Sequence, residues 1–213
     1  MGHGIIADRR ATAEKKIGRT MWNKMFEFLP GYSQARDIFE VAWKEGRIAR
    51  FEDFLLHLNK QWEGANTKKI KKLIDKIKKR DDILVDLVSS VLGSKSSISR
   101  LIIAFILSEY IEKDSIDYED ITLLIALESL LDDDFQIFKK FYKTRQETHF
   151  SGARVFVEEY ESKEQSSFEK LQSLQVFGRV HIGTLASDNK NQYIQGVSTS
   201  VSDRLNMYLE RVG

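Results

Sequence analysis

The 213-residue chain has no cysteine and a single proline, Pro30. Without cysteine there can be no disulfides, no thiolate zinc sites and no cysteine nucleophile, which suits a reducing compartment. Long apolar runs are missing too. The longest, Leu101 to Leu107, is seven residues, against the roughly 20 that a bilayer-spanning helix needs. The opening MGHGIIADRRATAEKK holds no apolar stretch of the kind a secretory signal requires. A cytoplasmic protein that is not an integral membrane protein is expected.

The motifs of common chemistry are also lacking. There is no G-x-x-x-x-G-K-[ST], no G-x-G-x-x-G and no G-x-S-x-G. The four histidines, His3, His57, His149 and His181, are scattered, and no two have the H-x-x-x-H spacing of a helical metal site. Asp132, Asp133 and Asp134 lack the alternating pattern of a calcium loop and read as a helix start, where carboxylates meet free N–H groups. The expectation is a non-enzymatic protein with no catalytic residues, no metal and no cofactor.

What is present is an ordinary globular balance, 42% hydrophobic and 31% charged, which argues against disorder. The net charge of +1 conceals a split. Residues 1–80 carry 19 Lys/Arg against 10 Asp/Glu, and residues 81–213 carry 14 against 22. Such polarity points to a charged partner or to attraction between the two halves, in one chain or between copies.

Apolar spacing predicts helices over most of the length. The first two run over 7–28, stopped by Pro30-Gly31, and from Ser33 to Glu45. A third, Arg47 to Trp62, places Phe51, Phe54, Leu55 and Leu58 on one stripe. One continuous helix is predicted from Thr67 to Leu92. Ser97 is the expected cap of the next, to Lys113, and Asp117 that of another, through Leu131. These last two are apolar on nearly all sides and suggest a central, buried hairpin. The acidic triplet then leads into a helix with Phe135, Phe138, Phe141 and Tyr142.

The texture changes after residue 146. Residues 152–160 fit either a strand or a short helix. Ser166 and Ser167 can cap a helix bearing Phe168, Leu171 and Leu174, with a turn at Phe177-Gly178. Two strands follow around a polar loop, and Ser200 or Ser202 opens a final helix. The fold class is therefore mainly α: a multi-helix bundle over 1–146, then a small winged-helix-like α+β module over 147–213. A DNA-reading module would need basic residues on its recognition helix. This one has Glu158, Glu159, Glu161, Glu164 and Glu169 against Lys163 and Lys170, with Arg179, His181 and Lys190 about the wing. Protein binding fits better than a duplex.

The densest charge lies in TKKIKKLIDKIKKR, with Lys68, Lys69, Lys71, Lys72, Lys76, Lys78, Lys79 and Arg80. The simplest account of this amphipathic helix is a packed stripe with lysines keeping the outer face wet. It could also meet a nucleic-acid backbone, an acidic protein or, least well for lack of an aromatic anchor, a membrane surface. Together with Glu164, Glu169, Lys170, Arg179 and Lys190 these residues form the candidate interaction surface. The expected partner is a protein. Nucleic acid is the alternative partner, and self-association stays open.

Two stretches are familiar in combination: residues 27–61, where a Pro-Gly break precedes an Arg-Ile-x-Arg-Phe-x-x-Phe-Leu pattern, and residues 81–141. With the wing-like C-terminus, and with a helix ending in the paired leucines Leu130 and Leu131 that leads into an acidic-then-Ile helix carrying Asp133 and Ile137, the chain resembles bacterial helical proteins of the Abi-alpha (abortive-infection) type. The resemblance implies a bacterial accessory protein in anti-phage defence. It assigns no active residue.

Overall fold

Eight helices and four strands make up the described part of the computed structural model, residues 48–62, 67–79, 81–143, 146–147, 154–159, 162–179 and 193–212. The helices expected at 7–28 and 33–45, together with Arg80, His3, His149, His181 and Lys190, lie outside the described residues. The chain divides into two units, Met1–Ile116 and Asp117–Gly213. This division falls before the boundary suggested by the texture of the sequence.

The described part of the first unit comprises α1 (Ile48–Gln61), α2 (Thr67–Lys78), α3 (Asp82–Gly93) and α4 (Ser97–Lys113). Helix α4 is the hub and packs against the other three. Its Ile102, Ile103, Ala104, Ile106, Leu107 and Ile111 are fully buried, and they meet a stripe of Phe51, Phe54, Leu55 and Leu58 on α1. Burial of each such side chain contributes about 1.5–3 kcal/mol, an upper bound when the unfolded chain is itself compact.

The single helix predicted over 67–92 is broken at Asp81. Its backbone is extended there (φ −61°, ψ 118°), and its carboxylate accepts the Leu84 N–H at 3.1 Å, starting α3 afresh. Likewise Ser96, one residue before the expected Ser97, caps α4, accepting from Ile98 N at 3.0 Å and Ser99 N at 3.3 Å. The C-terminal carbonyls are met by cations: Arg50 donates to Leu92 O at 2.9 Å, and Lys72 to Ile111 O and Glu112 O at 3.3 Å.

The second unit runs α5 (Tyr118–Ser129), α6 (Asp132–Lys143), β1 (Gln146–Glu147), β2 (Arg154–Glu159), α7 (Ser162–Ser173), β3 (Phe177–Arg179), β4 (Tyr193–Ser198) and α8 (Ser200–Val212). Within the ambiguous 152–160 segment, Arg154–Glu159 is thus a strand. The sheet is antiparallel in the order β1-β2-β4-β3, with Val155 opposite Val197, Glu159 opposite Tyr193 and Phe177 opposite Ser198. Helices α6, α7 and α8 pack on it, and α5 packs on α8. These contacts place α5 and α6 with the C-terminal module rather than with the bundle.

The core here is aromatic. Phe138 stacks on Phe177 at 5.1 Å and on Tyr142 at 5.2 Å, and Phe168 lies 5.2 Å from Phe141. Helix α7 begins four residues ahead of the expected Ser166 and ends in a Schellman turn. Val176 N donates to Leu171 O at 2.9 Å and Gln175 N to Gln172 O at 3.1 Å, with Gln175 left-handed at φ 61°. The turn therefore precedes Phe177-Gly178, which already belong to β3. Buried Val176 and Leu171 supply its apolar clasp. A reciprocal box starts α8: Ser202 N donates to Thr199 Oγ1 and Thr199 N to Ser202 Oγ, both near 3 Å.

Candidate interaction surface

Most charges singled out by the sequence turn out to tie helices together. On α2, Leu73 is buried and the lysines divide by direction. Lys69 pairs with Glu112, and Lys72 caps α4. Lys76 pairs with Asp114 and Asp81 and lies 3.9 Å above the Tyr110 ring. Lys71, Lys72 and Lys79 are exposed, Lys72 while donating to the end of α4, and Lys68 and Lys78 lie on the same helix. The basic helix is therefore in part a clamp on the C-terminus of α4.

Around Lys76 the polar groups interlock. The Tyr110 hydroxyl donates to the Asp81 carboxylate at 2.6–2.7 Å, so one carboxylate caps α3, holds Tyr110 and faces Lys76. Burial would push Asp81 up, but these hydrogen bonds and Lys76 hold it below the ordinary value, while burial and Asp81 push Tyr110 up. Lys76→Met is expected to lower stability by about 1–2 kcal/mol, through the lost cation–π contact and charged hydrogen bonds. Lys71→Glu with Lys79→Glu is expected to change it by under about 0.5 kcal/mol, as exposed sites do. Urea denaturation of the three chains checks the contrast.

A serine, a histidine and an aspartate also meet on α1 and α4. His57 Nε2 lies 3.2 Å from Ser97 Oγ and 3.5 Å from Asp53 Oδ1, and Ser97 Oγ donates to Asp53 Oδ2 at 2.9 Å. This is not a nucleophilic triad. A proton relay needs the two ring nitrogens to face serine and aspartate separately. Here one nitrogen faces both, and the serine proton points at the carboxylate. Arg100 Nε completes the cluster at 2.6 Å from Asp53.

Burial would raise Asp53, but hydrogen bonds from His57, Arg100 and Ser97 outweigh it and hold the carboxyl at about 2, against an ordinary 3.8. Asp53 and Asp81, and Asp134 beside Lys170, thus take up a proton less readily when folded. The stability that Asp53 adds is fully present above about pH 4 and is lost as the pH falls towards 2, and Asp81 and Asp134 act in the same direction. In chemical denaturation against pH, Asp53→Asn is expected to flatten that acid limb. Its share is on the order of 1 kcal/mol, because the side chain is 29% exposed and screened.

In the second unit Glu164 is buried and accepts from Lys140 at 2.9 and 3.0 Å, while Lys170 pairs with buried Asp134 at 2.6 Å. Both join α7 to α6. Asp134 also accepts the Leu131 N–H at 2.8 Å, making the triplet a helix start as expected. Glu169, which accepts from Gln165, and Arg179 at the end of β3 are exposed. Asp117 stands at the head of α5 without making a cap bond and faces Arg204 instead.

The feature that sequence reading missed is on α5. Tyr118 is 67% exposed, Ile121 45% and Ile125 65%, with Leu131 following at 47%. Among the described residues, four of the five exposed large apolar side chains fall in this stretch. Positions 118, 121 and 125 share one helical face, with Thr122 and Ser129 beside them and no charge at its centre. The opposite face, Leu123, Leu124, Ala126 and Leu127, is buried. A helix apolar on nearly all sides was expected to be central and buried; α5 is buried on one side only.

Among the described residues no group of three His, Asp or Glu could hold a metal ion, and no helix is long and apolar enough to cross a membrane. Comparison of the chain with family models, with curated proteins and with solved structures returns no match.

Proposed function

We propose that the protein is a non-enzymatic interaction protein, an accessory subunit that works through protein–protein contacts. The observation that carries this reading is the outward apolar face of α5. Isolated exposed apolar residues are common on soluble proteins, but a contiguous uncharged stripe marks a contact site. The polar clusters around Asp53 and Asp81 support the same reading, since their carboxylates, hydroxyls and cations are engaged with one another.

The C-terminal module is read as winged-helix-like, with α7 feeding β3 and β4 through the Schellman turn. Its role as a protein-contact module is favoured by α7, where Lys170 is bound to Asp134 and the exposed Glu169 would repel phosphates. The resemblance to Abi-alpha proteins suggests anti-phage defence as the setting, and rests on packing motifs alone. Nucleic-acid binding through α2 is weakened by the intramolecular duties of Lys69, Lys72 and Lys76.

The test is purification from the native host with and without nuclease, read by mass spectrometry and by the absorbance ratio for nucleic acid. A stoichiometric protein companion that survives nuclease supports the accessory role. Nucleic acid that co-purifies and leaves in moderate salt, with no protein companion, overturns it.

A further inference from the structure

The face of α5 sits in a one-signed stretch of chain. Residues 114–138 contain eight carboxylates, Asp114, Asp117, Glu119, Asp120, Glu128, Asp132, Asp133 and Asp134, and no Lys, Arg or His. Of these, Asp114 pairs with Lys76, Asp120 with Arg204 and Asp134 with Lys170. Asp117 also faces Arg204, at 3.2 Å, and is exposed. Asp132 and Asp133 are exposed, and Glu119 and Glu128 are half-exposed on α5 itself. The apolar stripe of Tyr118, Ile121 and Ile125 therefore has an acidic rim along its helix and at both ends.

From this we infer that the outer face of α5 docks an amphipathic helix of a partner protein, whose aliphatic stripe is flanked by Lys or Arg. The inference rests on the interaction reading above and specifies its partner. Charge selects among the possible occupants. A nucleic acid or an anionic bilayer would bring negative charge against the rim. A second copy seated α5 on α5 would set carboxylates against carboxylates in either helix direction, and like charges across an interface are costly. A basic helix instead lays aliphatic anchors into the stripe at positions i, i+3, i+4 and i+7 while its cations meet the rim. From Tyr118 to Ile125 the stripe rises about 10 Å, two turns of helix, enough for two or three anchors.

The test uses the full chain and two synthetic helical peptides with the same leucine stripe, one flanked by lysine and one by glutamate. Binding is measured by calorimetry in moderate salt. The lysine-flanked peptide is expected to bind at least about tenfold more tightly than its glutamate twin. In the double variant Ile121→Ser, Ile125→Ser that binding should fall at least about tenfold, with thermal unfolding unchanged because both side chains are exposed. In the variant Glu128→Gln, Asp133→Asn the preference for lysine over glutamate should shrink.

Equal binding of the two peptides, failure of both, or lysine-peptide binding untouched by the Ile121/Ile125 substitutions would each overturn the inference. So would concentration-dependent self-association in sedimentation that disappears in the Ile121/Ile125 variant, since a second copy would then be the occupant. A nuclease-resistant protein companion found while both peptides fail would overturn this docking surface alone and leave the broader interaction reading standing.

Discussion

Phe138→Ala is expected to destabilise the C-terminal unit by about 3–5 kcal/mol, the range for removing a fully buried ring from a core that cannot collapse around the gap. Phe138 is 0% exposed and links α6 to β3 through Phe177 and to its own helix through Tyr142. Losing it would open a cavity between a helix and the short strand β3. Phe138→Leu retains much of the volume and should cost roughly half as much. Chemical denaturation followed by near-ultraviolet circular dichroism reads both effects, because the affected rings report on their own packing.

Arg204→Ala is the second large effect. Asp120 is 3% exposed and accepts from Arg204 Nε at 2.8 Å, from Arg204 Nη2 at 2.5 Å and from the Tyr208 hydroxyl at 3.0 Å. Removing the guanidinium leaves a buried carboxylate with one neutral donor, and the loss should be about 3–5 kcal/mol. The pair joins α5 to α8, so its loss should loosen α5 first, a change visible in amide hydrogen exchange. Replacing both partners, Asp120→Leu with Arg204→Met, should recover most of the stability, because the penalty comes from stranding one charge and not from lacking the pair. A double variant as unstable as Arg204→Ala would show that the pair sets the packing of α5 in some other way.

Local structure was the most legible part of the sequence. The stripe of Phe51, Phe54, Leu55 and Leu58 announced α1, and the aromatic spacing of Phe135, Phe138 and Phe141 announced α6, because a helix with one buried face must carry a 3.6-residue period. The β3–β4 pair was legible as two short runs on either side of a polar stretch. Boundaries were harder where a polar residue had two plausible duties. Asp81 fell inside the helix predicted to run unbroken over 67–92, yet it caps α3 and holds Tyr110 from 29 residues away. No local pattern announces a partner at that distance.

The candidate surface was harder to read for a related reason. Sequence drew attention to the lysines of α2 and the charges of α7, since charge density is visible in one dimension. Whether Lys72 reaches solvent or the carbonyls of Ile111 and Glu112 is decided by tertiary packing. Conversely, α5 has no polar face to mark its outside. Tyr118, Ile121 and Ile125 look like core residues by composition, and only the placement of α8 against the opposite side leaves them exposed. The acidic composition of 114–138 was present in the sequence as part of the charge split, but it acquires meaning only as the rim of that face.

The most direct test of the account is site-specific photocrosslinking in the native host, with a photoreactive side chain in place of Ile125 and, as the control, in place of Lys71 on the exposed side of α2. The predicted result is one protein adduct in high yield from position 125, mapping to a Lys- or Arg-rich amphipathic helix, and no comparable adduct from position 71. Adducts to nucleic acid from position 71, with none from position 125, would contradict the account and move the working surface from α5 to α2.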